Sequence, residues 1–262
     1  MEIWQSFVLG IIEGLTEFLP ISSTFHLIFV SKFLMIENSD FLKFFEVFIQ
    51  AGAIIAVLFL YGKELWQDRE LDKKIILSFI PTAIVGFLLH SIIKSFFFET
   101  DWLMIGSFML VGIIFIVYEW QLKKNKKIDK EIKDLTWKQS IVIGIGQALA
   151  TLPGVSRAGA VMLSMMVMGQ KRSQAAKYSF LLALPTICAA AGYDMFKLIG
   201  KTTLSSEEIL LTAIGFVTAF VVAFFVLKWF IAYLQKHTLT GFGIYRIVMA
   251  SVLLLIFGSA LF

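Results

Sequence analysis

Two carboxylates lie one helical turn apart inside an apolar stretch near the start of the chain. Glu13 and Glu17 are four residues apart, so a helix places both side chains on one face. Acidic groups in an apolar environment are costly unless they are paired, bind a metal or face water. Because hard divalent cations prefer carboxylate oxygens, the pair predicts a site for Mg²⁺ or Ca²⁺. The alternative is a pair of interfacial glutamates on a shallow helix.

A cluster of hydroxyl groups and one imidazole follows these acids. The hydroxyls are those of Ser22, Ser23 and Thr24 at the start of the next apolar segment, and His26 comes one turn later. One hydroxyl there is explained by helix capping, but three in succession also offer donors to an anion. Ser23 or His26 could act as a nucleophile, with His26 otherwise a general acid or base, or only a packing residue.

An arginine beside a glycine turn marks a second polar site in the other half of the chain. Arg157 lies within an apolar region, where an arginine almost always has an anionic partner. One such partner is Glu13 or Glu17 in a structural ion pair. The other is phosphate, which a guanidinium binds with two hydrogen bonds and which Gly154 and Ser156 could also contact at the helix start. Together the two polar sites predict a phosphorylated lipid as the ligand.

The composition indicates the environment in which these polar groups lie. The chain has 262 residues, of which 58% are hydrophobic and 16% charged, and its mean hydropathy is +0.84. A soluble domain averages about 45–50% apolar and about 25% charged residues, so an all-α integral membrane protein is predicted. The net charge of +4 is attributed to basic loops at the membrane surface and not to nucleic-acid binding. The single Cys188 excludes an intrachain disulfide and cysteine-based metal clusters.

Apolar runs and their interruptions define the predicted elements. Six runs are long enough to span a bilayer, at 44–61, 75–93, 102–120, 178–197, 209–227 and 241–262. Two further regions, 3–36 and 139–168, are interrupted at Pro20 and Pro153. Since proline breaks a helix, each region is predicted to be a re-entrant hairpin that enters and leaves on one side. Two complete short spans in each region are the alternative.

The order of elements repeats along the chain. Each half has a hairpin followed by three spans, and the interruptions share the pattern Leu-Pro-x-x-Ser, at Leu19–Ser23 and Leu152–Ser156. The prediction is one membrane domain over 1–262 made of half 1 (1–121), a lysine-rich link (121–138) and half 2 (139–262). Because three spans reverse the chain direction, the second half is inverted relative to the first, and the interruptions meet near the bilayer middle.

The basic residues predict the orientation. Sixteen of the 23 lysines and arginines fall on the side that holds the link, and five fall on the side of the termini. The positive-inside rule therefore places the link in the cytoplasm and both termini on the extracytoplasmic side of the cell membrane. Arg246 is predicted to anchor the cytoplasmic end of the last span.

Two motifs carry a family resemblance. EGLTEFLPISSTFH, from Glu13 to His26, and LPGVSRAGA, from Leu152 to Ala160, resemble the signature regions of the undecaprenyl-diphosphate phosphatase family, the BacA-type bacitracin-resistance proteins. The resemblance extends to FIQAGAIIAVL around Gln50, FLLALPTICAAAGYD and GIYRI. It implies hydrolysis of undecaprenyl diphosphate to undecaprenyl phosphate and inorganic phosphate, which recycles the lipid carrier for cell-wall synthesis, and dependence on a divalent cation.

The resemblance also implies roles for individual residues. The site residues carried over by position are Glu13, Glu17, Ser22, Ser23, Thr24, His26, Ser156 and Arg157. We predict Glu13 and Glu17 for the metal, Glu17, Ser23, His26 and Arg157 for catalysis, and, with Gly154 of the glycine turn added, Ser22, Thr24, Gly154, Ser156 and Arg157 for the substrate. Three positions depart from the family pattern, since Phe25 stands for glycine, Ala158 for serine and Val161 for threonine. These changes are expected to place a ring beside His26 and to remove two hydroxyls from the phosphate end.

Two functions remain open from the sequence. The first is metal-assisted phosphoryl transfer by the groups named above. The second is a transporter or flippase that moves a phosphorylated polyprenyl lipid without cleaving it, because broken helices in inverted repeats commonly serve alternating access. The expected partners are a polyprenyl diphosphate lipid and the bilayer, without nucleic acid, and a homodimer is also compatible.

Overall fold

The computed structural model describes residues 1–97, 100–125, 127–198 and 204–261, and the elements in them are helical. The α-helices are α1 (Ile3–Thr16), α2 (Ser23–Phe33), α3 (Asp40–Gln67), α4 (Arg69–Phe97), α5 (Asp101–Asn125), α6 (Trp137–Ala148), α7 (Arg157–Val167), α8 (Arg172–Leu198), α9 (Ser206–Lys236) and α10 (Thr240–Leu261). Two 3₁₀ turns lie at Ile132–Asp134 and Leu149–Thr151.

Four described segments are long and apolar enough to cross a membrane. They are Asp40–Gln67, Asp101–Lys124, Arg172–Tyr193 and Ser206–Lys236. Large apolar side chains are exposed along them, for example Phe59 on α3 and Phe225 on α9. Exposed apolar surface of this extent is stable in lipid and not in water. The prediction of an all-α, multi-pass membrane protein is confirmed.

Both predicted interruptions lie between a pair of short helices. The first break, residues 17–22, separates α1 from α2, and the second break, residues 149–156, separates α6 from α7. Each break ends on a serine with a positive φ, 65° at Ser22 and 75° at Ser156. Residues other than glycine rarely adopt a positive φ. The conformation costs about 1–3 kcal/mol, so the surrounding packing must hold it in place.

The structural alignment of the two breaks differs by one residue from the alignment of their sequence patterns. The pattern Leu-Pro-x-x-Ser aligns Ser23 with Ser156. In the structure Ser22 and Ser156 precede the helices, and the first helical residues are Ser23 and Arg157. The second break therefore has one more residue after its proline than the first. Ser23 and Arg157 occupy the same position on two helices.

The order of elements and their contacts repeat between the halves. α1 packs along α9, and α6, the corresponding helix of the second half, packs along α4. The corresponding helices α5 and α10 pack on each other, as do α3 and α8. The largest group of buried apolar side chains joins α3, α7, α8 and α9. This core holds the two breaks between the long helices.

The lysine-rich link packs against the start of α8. Lys130 pairs with Gln170 in an isolated β-bridge. The Glu131 carboxylate accepts a hydrogen bond from Lys171 at 2.9 Å and pairs with Lys133 at 3.2 Å. These ammonium groups hold the pKa of Glu131 below its usual range. Residue 126 of the predicted link lies outside the described residues.

Close approach of α3 and α9 requires a glycine. A Cβ at Gly52 would collide with the carbonyl oxygen of Phe216 on α9. Small residues allow membrane helices to approach closely, and this contact is of that kind. Gly62, ten residues further along α3, has no atom within 4 Å of the position that a Cβ would take.

Gly52→Ala should therefore lower stability and Gly62→Ala should not. Overpacking at Gly52 is expected to cost about 1–3 kcal/mol. Gly62→Ala is expected to stabilise the protein by about 0.5–1 kcal/mol, because alanine favours a helix. Thermal unfolding of the two variants in the same detergent checks this prediction. A Gly52→Ala protein as stable as the unmodified chain would contradict the described packing.

Candidate active site

One carboxylate joins the two breaks. The Ser23 hydroxyl donates a hydrogen bond to Glu17 Oε2, and Arg157 Nη2 donates to Glu17 Oε1 at 2.5 Å. Ser23 begins α2 and Arg157 begins α7, so the first residues of both short helices bind the same carboxylate. The structure thus brings three of the predicted site residues together from two distant parts of the sequence.

Arg157 is held on more than one side. Its Nη1 donates to the carbonyl oxygen of Ser179 on α8 at 2.8 Å, and its guanidinium lies 5.9 Å from the centre of the Phe18 ring. The side chain is 13% exposed, and the exposed part lies in a cavity wall. The ion pair with Glu17 was the structural alternative to phosphate binding. The structure contains that ion pair and also places the arginine where an anion could reach it.

A half-polar cavity of about 190 Å³ lies between the breaks. Seven predicted residues line it, namely Glu17, Ser22, Ser23, Thr24, Gly154, Ser156 and Arg157. The Ser156 hydroxyl also caps α7 by accepting a hydrogen bond from the Gly159 N–H at 3.2 Å. Gly154 has φ +88°, and its Cα faces α5 so closely that a Cβ would collide with Ser107. A side chain is therefore excluded from this position.

Five further polar residues line the cavity, and the sequence did not predict them as site residues. They are Gln50, Thr82, Gln147, Thr151 and Thr186. Gln147 Nε2 donates to the Thr82 hydroxyl at 2.8 Å and contacts the Thr186 hydroxyl at 3.3 Å. The sequence feature that could have identified them is a polar residue in the middle of an apolar run. This feature is as typical of helix packing as of a ligand site.

Glu13 lies behind Glu17 and does not line the cavity. Its side chain is completely buried, and neither carboxyl oxygen has a hydrogen-bond partner among the described residues. Glu17, Glu46 and the Arg157 guanidinium are close enough to act on it electrostatically. In the part of the chain that the structure describes, no group of three or more His, Cys, Asp or Glu side chains could hold a metal. A cation here would depend on Glu13, Glu17 and ligands from outside the protein.

His26 is also placed outside the cavity lining, and both of its ring nitrogens are occupied. Nδ1 lies 2.8 Å from the carbonyl oxygen of Ser22, and Nε2 lies 2.7 Å from the hydroxyl of Tyr245 on α10. Because a carbonyl only accepts, Nδ1 must carry the proton, and Tyr245 must donate to Nε2. The imidazole is 5% exposed. His26 is therefore positioned to stabilise the end of the first break at Ser22 and not to face a ligand.

The three departures from the family pattern lie in the protein interior. Phe25 is completely buried and stacks on Phe108, with ring centres 3.8 Å apart. Ala158 and Val161 are also buried, and none of the three is among the described cavity residues. The expectation that Ala158 and Val161 remove hydroxyls from the phosphate end was wrong, because these positions of α7 face the core.

The prediction that Arg246 anchors the cytoplasmic end of the last span was also wrong. Its side chain is completely buried, and its guanidinium donates to the carbonyl oxygens of Pro20 at 3.0 Å and Gly154 at 2.5 Å. It lies between the two breaks. An arginine near the end of an apolar run has the same sequence pattern whether it faces the interface or the interior.

An apolar cavity of about 370 Å³ continues from the polar one. The two share Thr82, Thr151, Thr186 and Ala190. Beyond these residues the apolar cavity is bounded by α4 and α8, with Phe79, Ala83, Gly86, Phe87, Ala189 and Tyr193 in its wall. A polar head and an apolar tail of one molecule could therefore lie in adjoining cavities.

Comparison with known proteins gives matches over nearly the whole chain. The family described as bacitracin resistance protein BacA matches residues 6–252. The undecaprenyl-diphosphatases of Aquifex aeolicus and Persephonella marina are each 45% identical to this chain. The first alignment covers 95% of this chain and 96% of the relative, and the second covers 97% and 99%. The undecaprenyl-diphosphatase of Wolinella succinogenes is 41% identical, with 97% and 98% covered.

The tautomer of His26 can be measured directly. Nitrogen NMR of histidine-labelled protein should show His26 as a neutral imidazole with the proton on Nδ1, and Tyr245→Phe should shift the Nε2 resonance. The chain has three histidines, so a His26→Gln sample assigns the signal. A proton on Nε2, or an imidazolium at neutral pH, would contradict the described hydrogen bonds.

Proposed function

Because this chain belongs to the bacitracin resistance protein BacA family, we propose that it hydrolyses undecaprenyl diphosphate to undecaprenyl phosphate and inorganic phosphate. The family resemblance of the two motifs is confirmed by the comparison. The reaction recycles the lipid carrier for cell-wall synthesis, and the family name associates it with resistance to bacitracin. The observation that carries the proposal is the shared binding of Ser23 and Arg157 by Glu17.

The three side chains can perform phosphoryl transfer in two steps. Ser23 Oγ attacks the terminal phosphorus while Glu17 accepts the hydroxyl proton, and the bond from that phosphorus to the bridging oxygen breaks to release undecaprenyl phosphate. Water then attacks the phosphoserine, which releases inorganic phosphate and restores the hydroxyl. Arg157 binds the phosphoryl oxygens and neutralises their charge. Positioning and charge neutralisation supply most of the catalysis in such reactions.

Ser23 is the better of the two candidate nucleophiles. Its hydroxyl lies in the cavity and already donates to a carboxylate that can accept the proton. His26 has no free nitrogen, since Ser22 and Tyr245 occupy both. We therefore assign His26 to holding the first break, where it keeps the Ser22 carbonyl out of the cavity. Ser22, Thr24, Gly154 and Ser156 then contact the phosphates as substrate-binding groups.

A divalent cation, Mg²⁺ or Ca²⁺, fits Glu13 on α1 together with Glu17, which directly follows this helix. Glu13 is a buried carboxyl without a hydrogen-bond donor, and Glu17 is its neighbour on the same face. A buried carboxyl group stays ionised only beside a compensating charge. Magnesium is commonly held by one or two carboxylates together with substrate phosphates, so a pair suffices. Such an ion would supply charge neutralisation for the diphosphate.

We further propose six transmembrane helices, α3, α4, α5, α8, α9 and α10, and two re-entrant hairpins in one membrane domain. α1 and α2 are about 21 Å and about 16 Å long, which is short of the roughly 30 Å of a bilayer core. α6 and α7 are equally short. The repeated contacts of the two halves support an inverted repeat with its halves at 1–121 and 139–262.

The proposed orientation places both termini on the extracytoplasmic side of the cell membrane, with the link in the cytoplasm. The excess of lysine and arginine on the link side supports this orientation. All six tryptophans are exposed and lie toward helix ends, as is common at membrane interfaces. They are Trp4, Trp66, Trp102, Trp120, Trp137 and Trp229. A homodimer in the membrane stays a prediction.

The activity can be tested by phosphate release from undecaprenyl diphosphate by the full chain in detergent. Release is expected with Mg²⁺ or Ca²⁺, to be lost with EDTA, and to fall by about a thousandfold or more in Glu17→Ala and Arg157→Ala. Arg69→Ala, which removes an exposed arginine far along the sequence from both breaks, should keep full activity.

Three outcomes would count against these proposals. A folded protein that releases no phosphate would contradict the hydrolase and favour a lipid transporter. Full release in EDTA would contradict the cation. Retained activity in a folded Arg157→Ala protein would contradict the role of that arginine.

The apolar cavity is expected to hold the first part of the prenyl chain. Gly86 lies in its wall, and no atom lies within 4 Å of the position of a Cβ there. Gly86→Leu should therefore raise KM for undecaprenyl diphosphate by about tenfold, from the loss of several buried methylene groups. Inhibition by inorganic pyrophosphate should be unchanged. Gly106→Leu is the matched control, because Gly106 on α5 is equally open and lies outside the cavity wall. Equal KM values in the two variants would contradict this placement.

A further inference from the structure

Arg246 is the largest completely buried side chain among the described residues, and it contacts both breaks without lining the cavity. It lies on α10, far in sequence from either break. Its three nitrogens donate to carbonyl oxygens on three segments, with Nε on Phe108 at 2.9 Å, Nη1 on Pro20 at 3.0 Å and Nη2 on Gly154 at 2.5 Å. Pro20 belongs to the first break and Gly154 to the second.

Two of the carbonyl groups that Arg246 binds, those of Pro20 and Gly154, belong to the breaks and would otherwise be free to face the anion. Carbonyl oxygens carry partial negative charge and repel a phosphate. Gly154 lines the polar cavity, and its oxygen is directed to the arginine on the other side of the chain. The positive φ of this glycine and its close contact with α5 allow the turn. The arginine therefore sets the direction of peptide groups in the cavity wall.

The charge of Arg246 is also uncompensated in the described part of the chain. No carboxylate forms an ion pair with it there, in contrast to Arg157 with Glu17 and Arg172 with Glu119. Carbonyl dipoles and the faces of Phe108 and Phe115, at 4.3 and 5.7 Å, surround the guanidinium. A buried positive charge without a counter-ion is costly. An anion on the other side of the break would supply the missing negative charge.

We propose that Arg246 is a positioning residue that joins the two breaks into one diphosphate site and adds positive charge behind it. The proposal rests on the proposed function, because it assigns the arginine to the binding of that substrate's head group. It touches neither the substrate nor the reacting atoms and acts through the peptide groups of Pro20 and Gly154. Binding of a diphosphate should depend on it even when no reaction occurs.

The test measures binding without turnover. Isothermal titration of the full chain in detergent with methylenediphosphonate, which cannot be hydrolysed, gives Kd for the unmodified protein and for Arg246→Lys, Arg246→Gln and Arg172→Lys. Arg246→Lys keeps the charge but loses the planar fork that reaches three carbonyls. Arg172→Lys is the matched control, because Arg172 is a partly buried arginine paired with Glu119 and is absent from the cavity lining.

The expected Kd rises by about three- to tenfold in Arg246→Lys and by more than tenfold in Arg246→Gln, while Arg172→Lys binds as the unmodified chain does. In the phosphate-release assay the Arg246 variants should show a raised KM. A Kd within twofold of the unmodified value in folded Arg246→Gln would overturn the proposal, and Arg246→Lys decides in the same way if the glutamine variant does not fold. Absent hydrolysis with intact, Arg246-dependent binding would overturn the hydrolase and leave this inference standing.

Discussion

The site depends on the two contacts of the Glu17 carboxylate, because this group binds the first residues of two helices from different halves of the chain. Ser23 and Arg157 have equivalent positions after positive-φ serines, and their side chains differ in chemistry. One donates a hydroxyl proton and the other brings a positive charge. The repeated backbone geometry therefore places a hydroxyl group and a guanidinium at the two oxygens of one carboxylate.

Burial distinguishes the residues that line the cavity from those that position them. Glu13 and Arg246 are completely buried behind the cavity, and His26 nearly so. In an environment of low polarity the hydrogen bonds of His26 and Arg246 constrain their neighbours strongly, since an unsatisfied group there is costly. His26 fixes the first break through Ser22, while Arg246 fixes both breaks through their carbonyl oxygens. The groups that line the cavity are thus oriented by a second set that has no contact with it.

Much of this arrangement was predictable from residue types and spacing. Glu13 and Glu17 on one helix face, prolines at both interruptions and an arginine in an apolar run each have few explanations in a membrane protein. The offset of one residue between the breaks was not predictable, because a loop changes length without a signature in its sequence. The interior placement of Arg246 was missed for a related reason, since depth in a helix bundle follows from packing against α5 and not from the local pattern.

In the proposed reaction Ser23 receives the phosphoryl group while Glu17 takes its proton. The most direct measurement is rapid quenching of the full chain, in parallel with acid and with alkali, during turnover of undecaprenyl diphosphate labelled in its terminal phosphate, followed by peptide mapping. We expect an acid-stable phosphoserine at Ser23 that forms and decays within the catalytic cycle and is absent from Ser23→Ala. An alkali-stable, acid-labile label on His26, or direct entry of water oxygen into inorganic phosphate without a phosphoenzyme, would contradict it.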